Sequence, residues 1–238
     1  MADGQISLEH YARMLANPSY ITTFVTTLQM SAVVTAFVVL LGFPAAYAIS
    51  LLPHRLATAA LTLVAIPFWT SLLVRTYAWM VLLQRNGLIN TWAIELGLVE
   101  RPMRLANSFL GTSIGMIHIM LPLFIFTLYG TVKAIDRTLL RAAANLGASP
   151  IRTFMTVFLP LSLPGVVTGA MLTFIICLGF YVTPQLLGGG NVTTIPMRVQ
   201  QNILIYSDWG AASALGVVLI VIVALVMLTL RAVVGKRG

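Results

Sequence analysis

The sequence predicts an all-α, polytopic membrane protein, a single domain over residues 1–238 that crosses the bilayer five times. Of its 238 residues 59% are hydrophobic and only 8% charged, whereas a soluble domain carries about 25% charged residues. No Asp, Glu, Lys or Arg lies between Arg13 and Arg55, from Leu56 to Val74, from Leu105 to Val132, from Thr153 to Met197 or from Trp209 to Leu230. Each stretch provides the ~20 helical residues that a hydrocarbon core requires. The charges collect between these stretches, where they can reach water.

Charge-free length, Pro/Gly punctuation and flanking charges place the spans at 21–50, 56–80, 106–130, 161–183 and 209–230. The first run is too long for the apolar region of a signal peptide, so it reads as an uncleaved span. Pro44, Pro67, Pro122 and Pro184 fall in or near span ends and predict bends. In the fourth span Gly165, Gly169, Thr173 and Cys177 recur every four residues, and Gly111 with Gly115 forms a second small pair. Such ridges let helices approach closely in lipid, and packing within the chain is the preferred reading. Cys177 is the lone cysteine and has no partner for an internal disulfide.

Connections at 51–55 and 131–160 fall on one side. It collects Arg55, Lys133, Arg137, Arg141, Arg152, Arg231, Lys236 and Arg237 against Asp136 alone. The other side holds Arg13, Arg85, Arg101, Arg104 and Arg198, balanced by Asp3, Glu9, Glu95, Glu100 and Asp208. The positive-inside rule puts the first side, with the C-terminus, in the cytoplasm and the N-terminus outside. Trp69, Trp79, Trp92 and Trp209 fall toward the outer interface, where amphipathic rings settle.

The formal net charge of +8 would suit nucleic acid, but the basic residues sit between apolar runs and form no continuous soluble face, so none is expected as a partner. Gly235-Lys236 lacks the glycine spacing and the hydroxyl residue of a nucleotide-binding loop. Neither a metal-ligand cluster nor a nucleophile-base pair emerges, and an enzyme is not expected. His118 lies mid-span with no buried carboxylate beside it, which favours hydrogen bonding within the bundle over a proton relay.

The segment 134–164 is too polar to span and too patterned to be a linker. Asp136 is placed to N-cap a helix on which Leu139, Leu140, Ala143 and Leu146 share a face, with Gly147 at its C-terminal turn. Ser149 can cap a second helix that starts at Pro150, with Ile151, Phe154, Met155 and Phe158 at helical spacing.

Here the sequence resembles the permeases of bacterial ABC importers, which carry a cytoplasmic pattern of Glu-Ala-Ala, three residues, Gly, nine residues and Ile-x-Leu-Pro. Arg141-Ala142-Ala143, Gly147 and Val157-Phe158-Leu159-Pro160 keep that spacing, with Val for Ile. Arg141 replaces the glutamate and Asn145 a common aspartate, which reverses the charge. Pro67-Phe68-Trp69-Thr70, Val74-Arg75-Thr76-Tyr77, Leu146-Gly147-Ala148-Ser149 and Asp208-Trp209 are similar to the spermidine/putrescine branch.

The resemblance implies a five-span importer core without the additional N-terminal span common in such permeases. It implies cytoplasmic coupling helices at 131–160, seated in a cleft of an ATPase subunit. The implied partners are a second, identical or different permease, two ATPase subunits, a periplasmic solute-binding protein and the lipid of the inner membrane. ATP and magnesium would be used by the ATPases, with no cofactor in this chain.

In the outer half, Trp69, Tyr77, Phe180 and Tyr181 could stack on an ammonium group, although anchoring at the interface is the commoner role of such rings. Arg75 lies nearly ~30 Å along its helix, close enough to the outer interface to snorkel, so an anchor or gate-lining role is preferred to a ligand role. A cationic solute would be repelled by it unless it were paired. Asp208, Glu95 and Glu100 are the outer acids that could attract a cation or dock a binding protein. The rival reading, a secondary transporter or channel working without an ATPase, lacks intramembrane acids for ion coupling and a detectable internal repeat.

Overall fold

The computed structural model describes residues 9–235. Asp3, Lys236 and Arg237, used above for orientation, lie outside them. The helices are α1 (Glu9–Ala16), α2 (Pro18–Leu51), α3 (His54–Ala65), α4 (Leu72–Leu82), α5 (Leu88–Glu95), α6 (Phe109–Ala134), α7 (Arg137–Asn145), α8 (Pro150–Thr153), α9 (Leu159–Leu178), α10 (Val182–Leu187), α11 (Ile195–Leu204) and α12 (Trp209–Gly235). A 3₁₀ turn, Ile66–Trp69, extends α3, and a π turn, Phe154–Phe158, joins α8 to α9. Among the described residues no strand forms. Among the described residues four helices are long and apolar enough to cross a membrane: Pro18–Leu51, Phe109–Ala134, Pro150–Leu178 and Trp209–Leu228. A fifth crossing results if His54–Trp69 and Leu72–Leu82 serve as one broken span.

That break is the first departure from the expected spans, since 56–80 is two helices. Pro67 has no N–H to give and its ring crowds the carbonyl four residues back, so the helix tightens to 3₁₀ and stops. Thr70 closes it, its N–H and hydroxyl both donating to the Pro67 carbonyl, and Thr70 and Ser71 are extended before α4 begins.

The second departure concerns 161–183. Its helix stops at Leu178, and α10 starts afresh at Val182. Restarting there puts Pro184 in a first turn, where a missing N–H breaks no intrahelical bond. The third concerns the boundary at 160: α8, the π turn and α9 form one continuous apolar helix over Pro150–Leu178. The ring of Pro160 opposes the carbonyl of Thr156, and a widened turn relieves that clash. The Leu159 N–H accordingly donates five residues back, to Phe154.

The chain forms two compact units. One comprises, of the described residues, 34–70, 117–174 and 229–235. Within it Val34, Val38, Gly42, Ala46 and Ser50 bury a stripe of α2 against α6, whose Phe124 lies over Gly42. Gly165 and Gly169 face the same helix: a Cβ on them would come within 2.5 Å of Thr131 and 2.8 Å of Phe124. Their small-residue ridge therefore packs inside the chain. The other unit comprises residues 9–33, 71–116 and 175–228. In it Met14, Ile195 and Leu215 form a core flanked by Tyr11, Tyr20 and Phe24. The segments expected as plain connections, 81–105 and 184–208, hold α5, most of α10 and α11.

Candidate functional site

The hairpin Asp136–Pro160 is built from local rules. The Asp136 carboxylate accepts the Thr138 N–H at 2.8 Å and caps α7. At the other end Gly147 takes φ +84°. Its N–H donates to Ala144 O at 2.9 Å, and that of Ala148 to Ala143 O at 3.1 Å. This is the paired closure of a Schellman motif, which needs a left-handed residue. Ser149 Oγ accepts the Arg152 N–H and caps α8, with Pro150 in its first turn. A tight reversal between two capped helices follows from the sequence alone.

Its anchorage is aromatic and ionic. Phe154 and Phe158 stack at 5.4 Å and meet Phe43 and Tyr47 edge-on, Tyr47 lying 4.7 Å from Phe158. The Arg137 guanidinium donates at 2.6 Å to the Ser50 carbonyl, at the C-terminal end of α2 where a cation is favoured. These contacts choose the buried face. Phe154 and Phe158 turn inward while Ile151 and Met155, expected beside them, are exposed. The π turn and the aromatic partners together override the plain helical spacing. A cleft of about 360 Å³ lies under the hairpin, lined among others by Tyr47, Leu140, Ala144, Pro150 and Phe154.

Of the coupling candidates, Arg141, Ala142, Gly147 and Pro160 are exposed, and Ala143, Val157 and Leu159 half-buried. Leu146, at 88% exposure, and Leu139 leave the hairpin with an apolar outer face among small side chains. The backbone and side-chain donors of Thr138 hold the Asp136 carboxyl below its ordinary range, against a smaller effect of desolvation, and the charge of Arg141 adds to the lowering. The charge of Arg141 thus acts on the acid that caps its own helix.

Among the outer candidates, Trp69 belongs to the unit containing the hairpin, and at 89% exposure it is the most open of them. Arg75, Tyr77, Phe180, Tyr181 and Asp208 belong to the other. There the hydroxyls of Thr76 and Thr183, both fully buried, meet at 3.2 Å and tie α4 to α10. Arg75 and Tyr77 flank one of these threonines, and Phe180 and Tyr181 precede the other. Tyr77 is exposed and the rest half-buried, and Arg75 Nε is buried without a hydrogen-bond partner. Asp208 has work within the chain. It accepts the Ala211 N–H at 2.9 Å, which caps α12, and lies 3.9 Å from both His10 and Arg13.

Several residues that hold this second unit escaped sequence reasoning. Asn90, fully buried, donates to the carbonyls of Gln84 (3.0 Å) and Met103 (3.1 Å) and accepts the Met103 N–H (2.9 Å). Thr27 Oγ accepts the Ile195 N–H at 2.9 Å, an orphan donor of the first turn of α11. The Tyr20 hydroxyl donates to Asn202, and Arg198 lies 5.4 Å over the Tyr20 ring while donating to Ser19. Polar residues inside a strongly apolar chain were the available signal, but sequence spacing does not reveal partners 13 or more residues away.

Long apolar helices carrying a capped polar hairpin are the features of a multi-pass membrane transport subunit. The chain belongs to the family of binding-protein-dependent transport system inner membrane components, whose profile matches residues 19–237. It is 33% identical to the spermidine/putrescine transport system permease protein PotB of Haemophilus influenzae over 93% of this chain and 77% of that protein. To PotB of Escherichia coli K12 it is 31% identical over 93% and 80%. A chain of a bacterial alginate ABC transporter, solved with an alginate pentasaccharide-bound periplasmic protein, shares the fold with a TM-score of 0.79 at 16% identity, over 95% of this chain and 82% of that one.

Proposed function

We propose that this permease moves a small cationic solute of the spermidine/putrescine kind into the cytoplasm, taking it from a periplasmic binding protein. It does so by alternating access driven by ATP hydrolysed on partner subunits. A second permease completes the pathway, and two ATPases bind ATP and magnesium. This chain itself is no enzyme. The hairpin and the C-terminus face the cytoplasm and the N-terminus faces outward, in keeping with the Lys/Arg asymmetry.

The observation that carries the reading is the hairpin. Its apolar outer face, with Leu146, Ile151 and Met155 exposed around alanines, suits an ATPase cleft that admits little side-chain bulk. Its second helix runs unbroken into a span over Pro150–Leu178, so a force on the elbow acts directly on that span. Coupling of this kind needs only a contact that differs between two states. Arg141, Ala142, Ala143, Gly147, Val157, Leu159 and Pro160 form the coupling surface. The cargo reading rests on the similarity to PotB. Trp69, Tyr77, Phe180 and Tyr181 are its aromatic cation contacts, with Arg75 as a gate-lining anchor. Asp208 enters as the residue that fixes the corner of α1 and α12 rather than as a free carboxylate.

The test is uptake of labelled spermidine and putrescine into liposomes holding the assembled complex, with the binding protein outside and ATP inside. Uptake should require ATP, and the purified chain alone should neither bind nor hydrolyse it. Uptake that persists without the ATPase subunits on an ion gradient would favour the secondary-transporter reading. A cysteine at Asn145 should label from the cytoplasm and one at Arg101 from outside, both positions being exposed.

A further inference from the structure

We propose that the cleft between the end of α4 and the start of α6 binds the phosphate of an anionic phospholipid, making the segment 83–108 a headgroup anchor. The cleft is about 500 Å³, within the range of small-molecule sites. Gln84, Arg85, Arg104, Asn107, Ser108 and Asn191 supply its polar wall, and among the described residues no acid lines it. Among the described residues neither Arg85 nor Arg104 has an ion pair or side-chain hydrogen bond. Two arginines lining one cleft with no acid among its described lining make it a place where an anion is favoured over a cation. Their planar forks match phosphate oxygens.

The wall is preformed. Ala106 N–H donates to Leu83 O at 3.0 Å, Ser108 Oγ donates to Leu105 O at 2.6 Å and accepts from Gly111, and Asn191 donates to Asn107 O at 2.9 Å. The backbone on either side of the guanidinium groups is therefore held before any ligand arrives. What selects a lipid is the exposed apolar surface carried by the same segment. Through Asn90 the wall is tied to α5, and Leu88, Trp92, Leu96 and Leu98 on and after that helix are exposed, the last two at 72% and 73%. A protein carboxylate would use the arginines and leave these side chains in water. A phospholipid satisfies both, with its phosphate in the cleft and its acyl chains against that surface, as in interfacial anchors generally.

The experiment uses the full chain in vesicles of equal phosphatidylglycerol and phosphatidylcholine, extracted gently and examined by native mass spectrometry. Wild type should retain phosphatidylglycerol. R85Q/R104Q should lose affinity roughly 30-fold, the effect of two bases at a headgroup. R85K/R104K should recover part of it, and R101Q, outside the cleft, should match wild type. Glycerol phosphate and inorganic phosphate, added at millimolar concentration as soluble probes, should compete weakly. Equal retention by wild type and R85Q/R104Q overturns the proposal. So does displacement by free phosphate alone as effectively as by lipid, which makes the cleft a free-anion site. Crosslinking of R85C to an acidic surface of the binding protein, with retention unchanged, assigns the cleft to that protein instead.

Discussion

The hairpin Asp136–Pro160 and the polar segments 83–108 and 188–208 differ in how their turns are closed. In the hairpin nearly every cap is made within five residues: Asp136 to Thr138, Gly147 and Ala148 to the end of α7, Ser149 to Arg152. In the other segments the fixing bonds are long in sequence. Asn90 reaches Met103, Thr27 meets Ile195, and Asn191 reaches Asn107. Locally closed structure keeps its shape while its surface stays bare, which suits an element meant to be gripped by another protein. Structure closed at a distance binds separate loops to one another.

The largest effect that can break this contrast lies at the hairpin elbow. A Cβ at Gly147 would meet nothing within 4 Å, so space does not restrict the position and its φ of +84° does. Gly147→Val forces a β-branched residue where it is strongly disfavoured, and the elbow must open or rotate. Uptake by the reconstituted complex should be abolished, ATPase stimulation weakened, and membrane insertion and capture by the binding protein unchanged. Gly147→Asn, which tolerates the left-handed region, should retain partial uptake. Normal uptake by the valine variant would mean that a locally closed elbow transmits nothing.

The same contrast explains what could be read from the sequence. The capping residues of α7 and α8 and the glycine elbow are one-dimensional signals and lie where they were expected, whereas the lipid-length apolar runs foretold helices but not their bounds. The break at Pro67 and the early stop at Leu178 were harder, because a proline in an apolar run can bend, stop or widen a helix. Packing decides which. The burial of Phe154 and Phe158 in place of Ile151 and Met155 depends on Phe43 and Tyr47, over a hundred residues away. Asn90 and Thr27 read as ordinary polar residues until the fold supplies their partners.

A middle-sized effect should appear on the distant side of the contrast. Asn90→Leu removes three hydrogen bonds at a fully buried position, leaving the Met103 N–H and carbonyl without that partner while the Gln84 carbonyl keeps the Gly87 N–H. An orphan group costs about 1–3 kcal/mol when buried, and water can reach those of the exposed Met103, so the segment should loosen by about 1–3 kcal/mol. Limited proteolysis should cut near residues 97–103 faster than in wild type, with a lower midpoint of thermal unfolding in detergent. The hairpin should show wild-type protection. Equal loosening of both would mean that they unfold as one, and the contrast would fail.

The smallest effect is a pH dependence confined to the hairpin. The Asp136 carboxylate, held by the Thr138 donors and aided by Arg141, has a folded pKa below its ordinary 3.8. A depressed carboxyl contributes stability that is fully present above the unfolded value and is lost as the pH falls through the folded one. The cap should therefore be intact at neutral pH and weaken only below about pH 4. Hydrogen exchange at the Thr138, Leu139 and Leu140 amides, corrected for intrinsic rates, should lose protection in that window, while the Met103 amide held by Asn90 does not. Asp136→Asn keeps an acceptor without the titrating group, so its profile should be flat. Arg141→Glu places a like charge where a favourable one acts on Asp136, and should move the loss of protection to higher pH. Because Asp136 is fully solvated the change is small, and exchange at single amides resolves it where global unfolding would not. A wild-type profile as flat as that of Asp136→Asn would show that the charge adds nothing to the cap, leaving backbone closure at Gly147 as the feature that holds α7.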